Sequence, residues 1–289
     1  MDIIRLLRPR QWSKNLFLFL PIFFAQAIGD YNRLWACCIA FIVMSLASSC
    51  IYVLNDLRDV DFDRNHPEKS QRPLASGRIS ITVGYILYAI LLILTVAVTL
   101  IFFPSVEMIC TIAIYILLNH LYSLFLKHVA LLDVMIVASG FVLRIIVGAI
   151  AASVVPSHWI IIMTFLLALF LVLTKRRDDV IKYEKNNITT RRNVLSYNRA
   201  FLDQTLTLVA GVTLVSYIMY TVDAEVIEQF NCNYVYSTAI FVLAGILRYL
   251  QLTLVEEKCW SPTRIVMHDR FLQCCIIGWL ILFTFIIYG

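Results

Sequence analysis

The sequence predicts an all-α integral membrane protein with nine transmembrane helices. Hydrophobic residues make up 61% of the 289 residues and charged residues only 15%, whereas a soluble domain is typically about 25% charged. Apolar runs long enough to cross a hydrocarbon core of about 30 Å recur along the whole chain. The predicted spans are 14–29, 34–54, 79–103, 107–126, 130–153, 157–174, 205–222, 234–254 and 270–288.

The basic residues predict how these spans are oriented. Cytoplasmic loops of membrane proteins carry an excess of Lys and Arg. Of the 24 such residues, only Arg33 lies in a predicted outer loop, and Arg144 and Arg248 lie inside spans. We therefore predict a multi-pass protein of the cytoplasmic (inner) membrane, with its N-terminus cytoplasmic and its C-terminus outside. Residues 1–289 should form a single transmembrane domain, with inner polar loops at about 55–78, 127–130, 175–204 and 255–269.

The first inner loop carries acidic residues at helical spacing. Asn55, Asp59 and Asp63 are four residues apart, and Asp56 lies three residues before Asp59, so their oxygen atoms would share one face of a helix. Acidic residues contribute little to topology, and like charges one turn apart repel each other. Because Mg²⁺ prefers oxygen ligands and commonly joins protein carboxylates to substrate phosphates, we predict that these four residues bind Mg²⁺ and are catalytic.

Basic residues on the predicted inner side are candidates for binding the phosphate groups of a substrate. The alternative is that they only enforce the positive-inside topology or anchor the chain at the membrane surface. The candidates are Arg64, His66, Lys69 and Arg72 in the first inner loop, and Arg10, Lys14 and Lys127 elsewhere.

A second polar cluster, residues 174–184 with the sequence TKRRDDVIKYE, follows the sixth predicted span. Lys175, Arg176 and Arg177 cannot all face one way on a helix, so we expect at least one of them to reach the lipid headgroups. The others, with Asp178, are candidate substrate-binding residues, because Arg and Lys both bind phosphate. Further basic residues follow at Arg191, Arg192 and Arg199.

Arg144 lies near the middle of a predicted span, between Gly140 and Gly148. A charged side chain deep in a membrane costs several kcal/mol unless it faces a polar cavity or a partner. We therefore expect Arg144 to belong to the site and to bind substrate, with a structural ion pair to a residue such as Asp133 as the alternative.

The motif of Asn55, Asp56, Asp59 and Asp63 matches N-D-x-x-D-x-x-x-D, and in this the chain resembles the UbiA superfamily of intramembrane prenyltransferases. The resemblance covers essentially the whole chain. It implies a UbiA-like helical bundle, a cytosol-facing polar site and dependence on Mg²⁺. Most members carry a second signature, D-x-x-x-D, after the sixth span. Here Lys182 and Tyr183 stand four residues after the two aspartates of the second cluster.

Other segments resemble one subfamily, the decaprenyl-phosphate phosphoribosyltransferases. They are LLRPRQWSKNLFLFLP, HPEKSQRPLASG, LYSLFLKHVALLDV, GFVLRIIVGAIA and TKRRDD. This resemblance implies a transferase that moves 5-phosphoribose from phosphoribosyl diphosphate (PRPP) to a polyprenyl phosphate, with release of diphosphate and inversion at C1. The expected partners are PRPP, the polyprenyl phosphate and membrane lipids, without nucleic acid.

Two other functions remain open from the sequence. One is transfer of a prenyl group from a polyprenyl diphosphate to an aromatic or other small acceptor. The other is a transporter or lipid-binding protein, which we consider less favoured because transporter sites lie near the membrane midplane. Here the charged residues gather at the predicted inner face instead.

Overall fold

The computed structural model describes residues 2–65, 69–186, 194–257 and 262–288. Within these ranges the chain consists of helices and loops, in agreement with the predicted all-α class. By its internal contacts the chain divides into two compact units, Met1–Pro156 and Ser157–Gly289. A single catalytic domain over residues 1–289 stays a prediction.

The first unit is organised around one long helix. Its α-helices are α1 (Asp2–Leu7), α2 (Leu20–Phe24), α3 (Tyr31–Arg58), α4 (Val60–Arg64), α5 (Ile81–Phe102), α6 (Val106–Leu124) and α7 (Leu132–Ala152), with 3₁₀-helical segments at Pro9–Phe19, Lys69–Gln71 and Leu126–His128. Helix α3 contacts α5, α6, α7 and the first 3₁₀ segment. Met44, in the middle of α3, is fully buried in a core with Leu18, Ile22 and Val147, which fixes the middle of α3 within the unit.

The second unit consists of two packed helix pairs and their connections. Its α-helices are α8 (His158–Asn186), α9 (Arg199–Thr221), α10 (Ala224–Phe230), α11 (Ala239–Leu250), α12 (Pro262–His268) and α13 (Arg270–Tyr288), with 3₁₀ segments at Val194–Ser196 and Val235–Thr238 and a π-helical turn at Gln251–Val255. Helix α8 packs on α9, and α11 packs on α13. The Trp279 and Phe283 rings stack at 4.9 Å, and Trp279 Nε1 donates to the Tyr217 hydroxyl at 2.6 Å.

Short polar side chains begin several of these helices. The first amides of a helix have no partner within it, and Asp, Ser and Asn side chains can accept from them. Asp30 accepts from two backbone amides at the start of α3, and Ser80, Ser105 and Asn198 each accept from one at the starts of α5, α6 and α9. These helices therefore begin at residues whose side chains accept hydrogen bonds from the first backbone amides.

The described residues contain eight helices long and apolar enough to span a membrane, and these match eight of the nine predicted spans. The exception is the predicted span 14–29, which is not one continuous α-helix but the 3₁₀ segment Pro9–Phe19 followed by α2. Pro21 has no amide hydrogen to donate to the Phe17 carbonyl oxygen, which accepts from the Leu20 amide instead. Proline thus favours the tighter 3₁₀ spacing at this point.

The helices also extend into two predicted inner loops. Helix α3 continues to Arg58, beyond the predicted end at residue 54, and α8 continues to Asn186, beyond residue 174. Predicted loops 55–78 and 175–204 therefore begin as helix. In both cases the sequence becomes polar before the helix ends. The last turns of α3 and α8 therefore carry the first residues of the two polar clusters.

Candidate functional site

The carboxylate motif lies where α3 meets α4. Asn55 and Asp56 belong to the last turn of α3, Asp59 lies at the junction, and Asp63 belongs to α4. The Asp59 amide donates to the Asn55 carbonyl oxygen at 3.0 Å, and the Asp63 amide donates to the Asp59 carbonyl oxygen at 2.8 Å. Because this i, i+4 ladder continues across the junction, the motif keeps the helical spacing that the sequence predicts.

Asp56 and Asp63 are brought together by an arginine. Both carboxylates are buried, with side chains 2% exposed, and Arg72 Nη1 lies 3.0 Å from Asp56 Oδ1 and 2.6 Å from Asp63 Oδ2. Arg8 Nη2 lies 2.5 Å from the same Asp56 oxygen. Burying a charge is costly unless it is paired, so the two arginines are what allow these carboxylates to be buried.

One oxygen of this cluster has no hydrogen-bond partner among the described residues. Asp63 Oδ1 is buried and unpaired, while its other oxygen binds Arg72. Burial raises the pKa of the Asp63 carboxyl, and the positive charges of Arg72 and Lys69 oppose that rise. A buried carboxylate oxygen without a donor is costly to maintain, and a metal ion would satisfy it.

The third carboxylate of the motif has a separate cation. Lys127, from the 3₁₀ segment between α6 and α7, places Nζ 2.5 Å from Asp59 Oδ1, with side chains 14% and 28% exposed. The structure therefore brings Lys127 and Arg72 into contact with carboxylates of the motif in the first unit, and their binding of substrate stays a prediction. Arg8 also belongs to this cluster, although the motif spacing gives no indication of it.

The donor set fits a magnesium ion that is shared with a substrate better than a metal held by protein alone. Among the described residues no group of three or more His, Cys, Asp or Glu side chains is arranged to hold a metal ion. Mg²⁺ usually keeps several waters and uses one or two carboxylates with substrate phosphates. Asp56, Asp63 with its unpaired oxygen, and Asp59 supply hard oxygen donors of this kind, and Asn55 lies one turn before Asp59 on the same helix.

Other predicted phosphate-binding residues of the first unit differ in their neighbours and in their exposure. Arg64 Nη1 pairs with Asp61 at 3.3 Å, where both side chains are largely exposed. Lys69 lies over the Phe62 ring at 5.3 Å, Arg10 is exposed and Lys14 is half-buried. Their predicted substrate contacts stay predictions, and His66 lies outside the described residues.

Arg144 is held by neutral groups. It is 6% exposed, and it donates to Asn15 Oδ1 at 2.8 Å, to the Gly140 carbonyl oxygen at 2.6 Å and to the Tyr115 hydroxyl at 3.0 Å. The acidic partner considered from the sequence, Asp133, is not among these contacts. Asn15 is itself fully buried, so Arg144 joins α7 to the 3₁₀ segment and to α6, which supports a structural role more than contact with substrate.

The second polar cluster lies on the last turns of α8, in the second unit. Arg177 is 1% exposed, with Nε 2.5 Å from Asp203 Oδ1 and Nη1 2.7 Å from the Thr253 carbonyl oxygen. Arg176 faces Asp179 at 3.5 Å. Two of the three basic residues are thus buried in ion pairs.

The remaining members of that cluster differ in their exposure. Lys175 is exposed, as expected for a residue at the membrane surface, whereas Asp178 is 5% exposed. Near the end of α8, Lys185 and Arg199 both bind Glu257, with Lys185 Nζ 2.9 Å from Glu257 Oε2. Arg191 and Arg192 lie outside the described residues.

The eight long apolar helices among the described residues define an integral membrane protein. The buried carboxylates and arginines at the end of α3 give it a polar site with cations that could bind phosphate groups. Residues 16–263 match the UbiA prenyltransferase family, and the chain belongs to that family. It is therefore a membrane transferase, as the sequence predicts.

Two relatives match almost the whole chain. It is 30% identical to a decaprenyl-phosphate phosphoribosyltransferase of Corynebacterium glutamicum, over 99% of this chain and 86% of the relative. It is 31% identical to the protein of that name from Mycolicibacterium smegmatis, over 96% of this chain and 90% of the relative. The resemblance predicted from the motifs is confirmed.

Solved structures share the fold. A UbiA homologue from Archaeoglobus fulgidus bound to DMAPP and Mg²⁺ has a TM-score of 0.73 at 19% identity, with all of both chains covered. A digeranylgeranylglyceryl phosphate synthase structure has a TM-score of 0.68 at 16% identity, covering 97% of this chain and 96% of the other. At these identities the similarity establishes the helical UbiA fold.

Proposed function

We propose that this transferase moves 5-phosphoribose from PRPP to a polyprenyl phosphate and releases diphosphate. The single observation that carries the proposal is the composition of the last turns of α8. Because α8 continues to Asn186, Lys182 and Tyr183 lie one helical turn after Asp178 and Asp179. A lysine and a tyrosine thus stand where the family's second acidic signature would place carboxylates.

This substitution suits a reaction that involves several phosphate groups. PRPP carries a diphosphate and a 5-phosphate, and the acceptor adds a third phosphorylated group. Cations bind such groups directly, whereas extra carboxylates would repel them. Prenyl transfer to an aromatic acceptor without a phosphate group would need fewer cations. The two curated relatives support the same choice through their names.

In the proposed reaction, an oxygen of the polyprenyl phosphate attacks C1 of the ribose as the bond from C1 to the diphosphate breaks. The bonding electrons leave with the diphosphate, and attack from the opposite face inverts C1. The acceptor oxygen is already anionic, so the site needs little general-base catalysis and acts mainly through positioning and charge stabilisation.

The motif residues would hold the donor. Asp56, Asp59 and Asp63, with Asn55, would bind Mg²⁺, which when bound neutralises charge on the diphosphate. Arg72 and Lys127 contact these carboxylates and would orient them, and as cations they would also attract the diphosphate. Lys175, Arg176 and Asp178 remain candidates for the other phosphate contacts.

The proposal places the site on the cytosolic side of the inner membrane, with the C-terminus outside. That orientation requires a ninth crossing by the first segment. A 3₁₀ helix rises about 2.0 Å per residue, so Pro9–Phe19 would extend about 22 Å. Helix α2 adds about 7 Å, and the two lengths together approach the hydrocarbon thickness of about 30 Å.

A reporter fused after residue 289 tests this orientation. It should be active only outside the membrane, and a cytoplasmic signal would contradict the proposed orientation.

A comparison of two donor and acceptor pairs tests the reaction. Purified protein with Mg²⁺ is given either labelled PRPP and polyprenyl phosphate, or polyprenyl diphosphate and 4-hydroxybenzoate. We expect a labelled lipid product only from the first pair. Product from the second pair alone would replace this proposal with prenyl transfer.

A further inference from the structure

We infer that Arg8 is a built-in counter-ion of the carboxylate motif, which occupies Asp56 in the metal-free protein and which Mg²⁺ must displace in order to bind there. This role rests on the proposed metal site, but it does not depend on which donor or acceptor the enzyme uses. It assigns a function to a residue that lies 48 positions from its carboxylate partner and outside the motif.

The geometry shows a direct competition for one oxygen atom. Arg8 Nη2 lies 2.5 Å and Arg72 Nη1 3.0 Å from Asp56 Oδ1. Asp56 is only 2% exposed, so water cannot take the place of either guanidinium. A metal ion can bind this oxygen only after at least one of the two arginines has moved away.

Arg8 is the arginine that is easier to release. Arg72 also binds Asp63 at 2.6 Å, so its displacement would uncover two buried carboxylates. Arg8 has Asp56 as its ion-pair partner and the Tyr52 ring at 5.1 Å from its guanidinium carbon. Its backbone has a φ of 53°, in the left-handed region that is unfavourable for residues with a Cβ atom, so the pairing also helps to hold a strained segment.

The carboxylates of the cluster are paired with cations among the described residues. Asp56, Asp59 and Asp63 contact Arg8, Arg72 and Lys127, and the positive charge of Lys69 also acts on Asp63. Removal of the Arg8 charge makes the cluster more negative and increases the attraction for a divalent cation. If Arg8 only positioned Asp56 for the metal, its removal would instead weaken Mg²⁺ binding.

The test is a titration of Mg²⁺ into purified protein in detergent, run once with Mg²⁺ alone and once with inorganic diphosphate in place of the substrate's phosphates. Binding is followed by calorimetry and by the rise in the thermal unfolding midpoint. Arg8→Gln should bind Mg²⁺ about fivefold more tightly than wild type, although its metal-free unfolding midpoint should be lower. Arg8→Lys keeps the charge and should bind within about twofold of wild type. Arg5→Gln is the matched control, because Arg5 is exposed and faces Asp2 at 3.7 Å.

Each outcome of the titration decides a different point. If wild type binds Mg²⁺ and Arg8→Gln binds it equally or more weakly, Arg8 is not a competing counter-ion, and the proposed metal site stands. If wild type and Arg8→Gln both fail to bind Mg²⁺ in either titration, while retaining their folded state, the proposed metal site fails and the role of Arg8 fails with it.

A measurement on the wild-type protein covers the case in which Arg8→Gln does not fold. Release of Arg8 should loosen the segment around it, so Mg²⁺ should increase hydrogen–deuterium exchange in peptides covering residues 2–12. Peptides from α13 provide the internal control and should not change. Unchanged or slower exchange over residues 2–12 at saturating Mg²⁺ would overturn the inference.

Discussion

Lys127 Nζ lies 2.5 Å from Asp59 Oδ1, which joins the connection between α6 and α7 to the end of α3. The two residues are 68 positions apart, and neither side chain is more than 28% exposed. A partly buried ion pair of this kind is stronger than a pair on the surface. The positive charge at position 127 therefore helps to orient Asp59 of the carboxylate motif.

The first prediction concerns Lys127. Lys127→Gln should lower kcat/KM for PRPP about tenfold, because Asp59 loses its cation and the donor diphosphate loses an attracting charge. Lys127→Arg keeps the charge and should retain most of the activity. Initial rates at varied PRPP concentrations measure the effect. Equal losses in both variants would show that shape rather than charge matters at this position.

The second prediction concerns Asp63. Asp63→Asn should lower kcat by at least about 100-fold, because it removes a charged oxygen donor from the motif. Asp61 is two residues away on α4, but its side chain is 96% exposed, so Asp61→Asn should stay near wild type. Activity is compared at equal amounts of membrane-extracted protein. Wild-type rates from Asp63→Asn would remove this residue from the site.

The third prediction concerns the packing of α7 against the first 3₁₀ segment. A Cβ atom at Gly148 would lie 1.9 Å from the Leu18 carbonyl oxygen, whereas one at Gly211 would have nothing within 4 Å. Gly148→Ala should therefore destabilise the protein by about 1–3 kcal/mol. Gly211→Ala should be neutral or stabilising by up to about 1 kcal/mol, because alanine favours helix. The unfolding midpoints of both variants are measured in detergent. Equal midpoints for the two variants would contradict this account.

The fourth prediction concerns pH and Glu257. Hydrogen bonds from Lys185 and Arg199 lower the pKa of Glu257 below its ordinary value of 4.5. A lowered carboxyl pKa contributes stability that is present above the ordinary value and is lost as pH falls through the lowered value. Glu257→Gln should thus unfold at a lower temperature than wild type near pH 7. The difference should vanish below the lowered pKa, and a difference that persists at acid pH would contradict the ion-pair explanation.

Much of the fold follows from the sequence because apolar runs of membrane length have few alternatives to a helix. Eight predicted spans are present as such helices. The first segment is different because Pro21 cannot donate an α-helical hydrogen bond, and length with hydrophobicity alone cannot distinguish a 3₁₀ helix from an α-helix. The starts of the eight spanning helices lie within six residues of the predicted starts, whereas α3 and α8 continue into charged sequence.

The candidate site was predictable where its residues are close in sequence. Helical spacing identified Asp56, Asp59 and Asp63, and the proximity of Arg72 made it a candidate. Arg8 was missed as a site residue because its contact with Asp56 depends on tertiary folding. The surroundings of Arg144 also depend on tertiary folding, because the neutral side chains that accept its hydrogen bonds come from distant segments. From the sequence alone, a single charge inside a span suggested a substrate cavity.

The central claim is that PRPP is the donor and that a polyprenyl phosphate accepts its phosphoribosyl group. The most direct measurement is the joint yield of lipid product and diphosphate from ribose-labelled PRPP, with Asp63→Asn as the blank. We predict one phosphoribosylated polyprenyl phosphate, identified by mass spectrometry, for each diphosphate released, and only with Mg²⁺ present. Absence of labelled lipid from a preparation that prenylates an aromatic acceptor would contradict the claim.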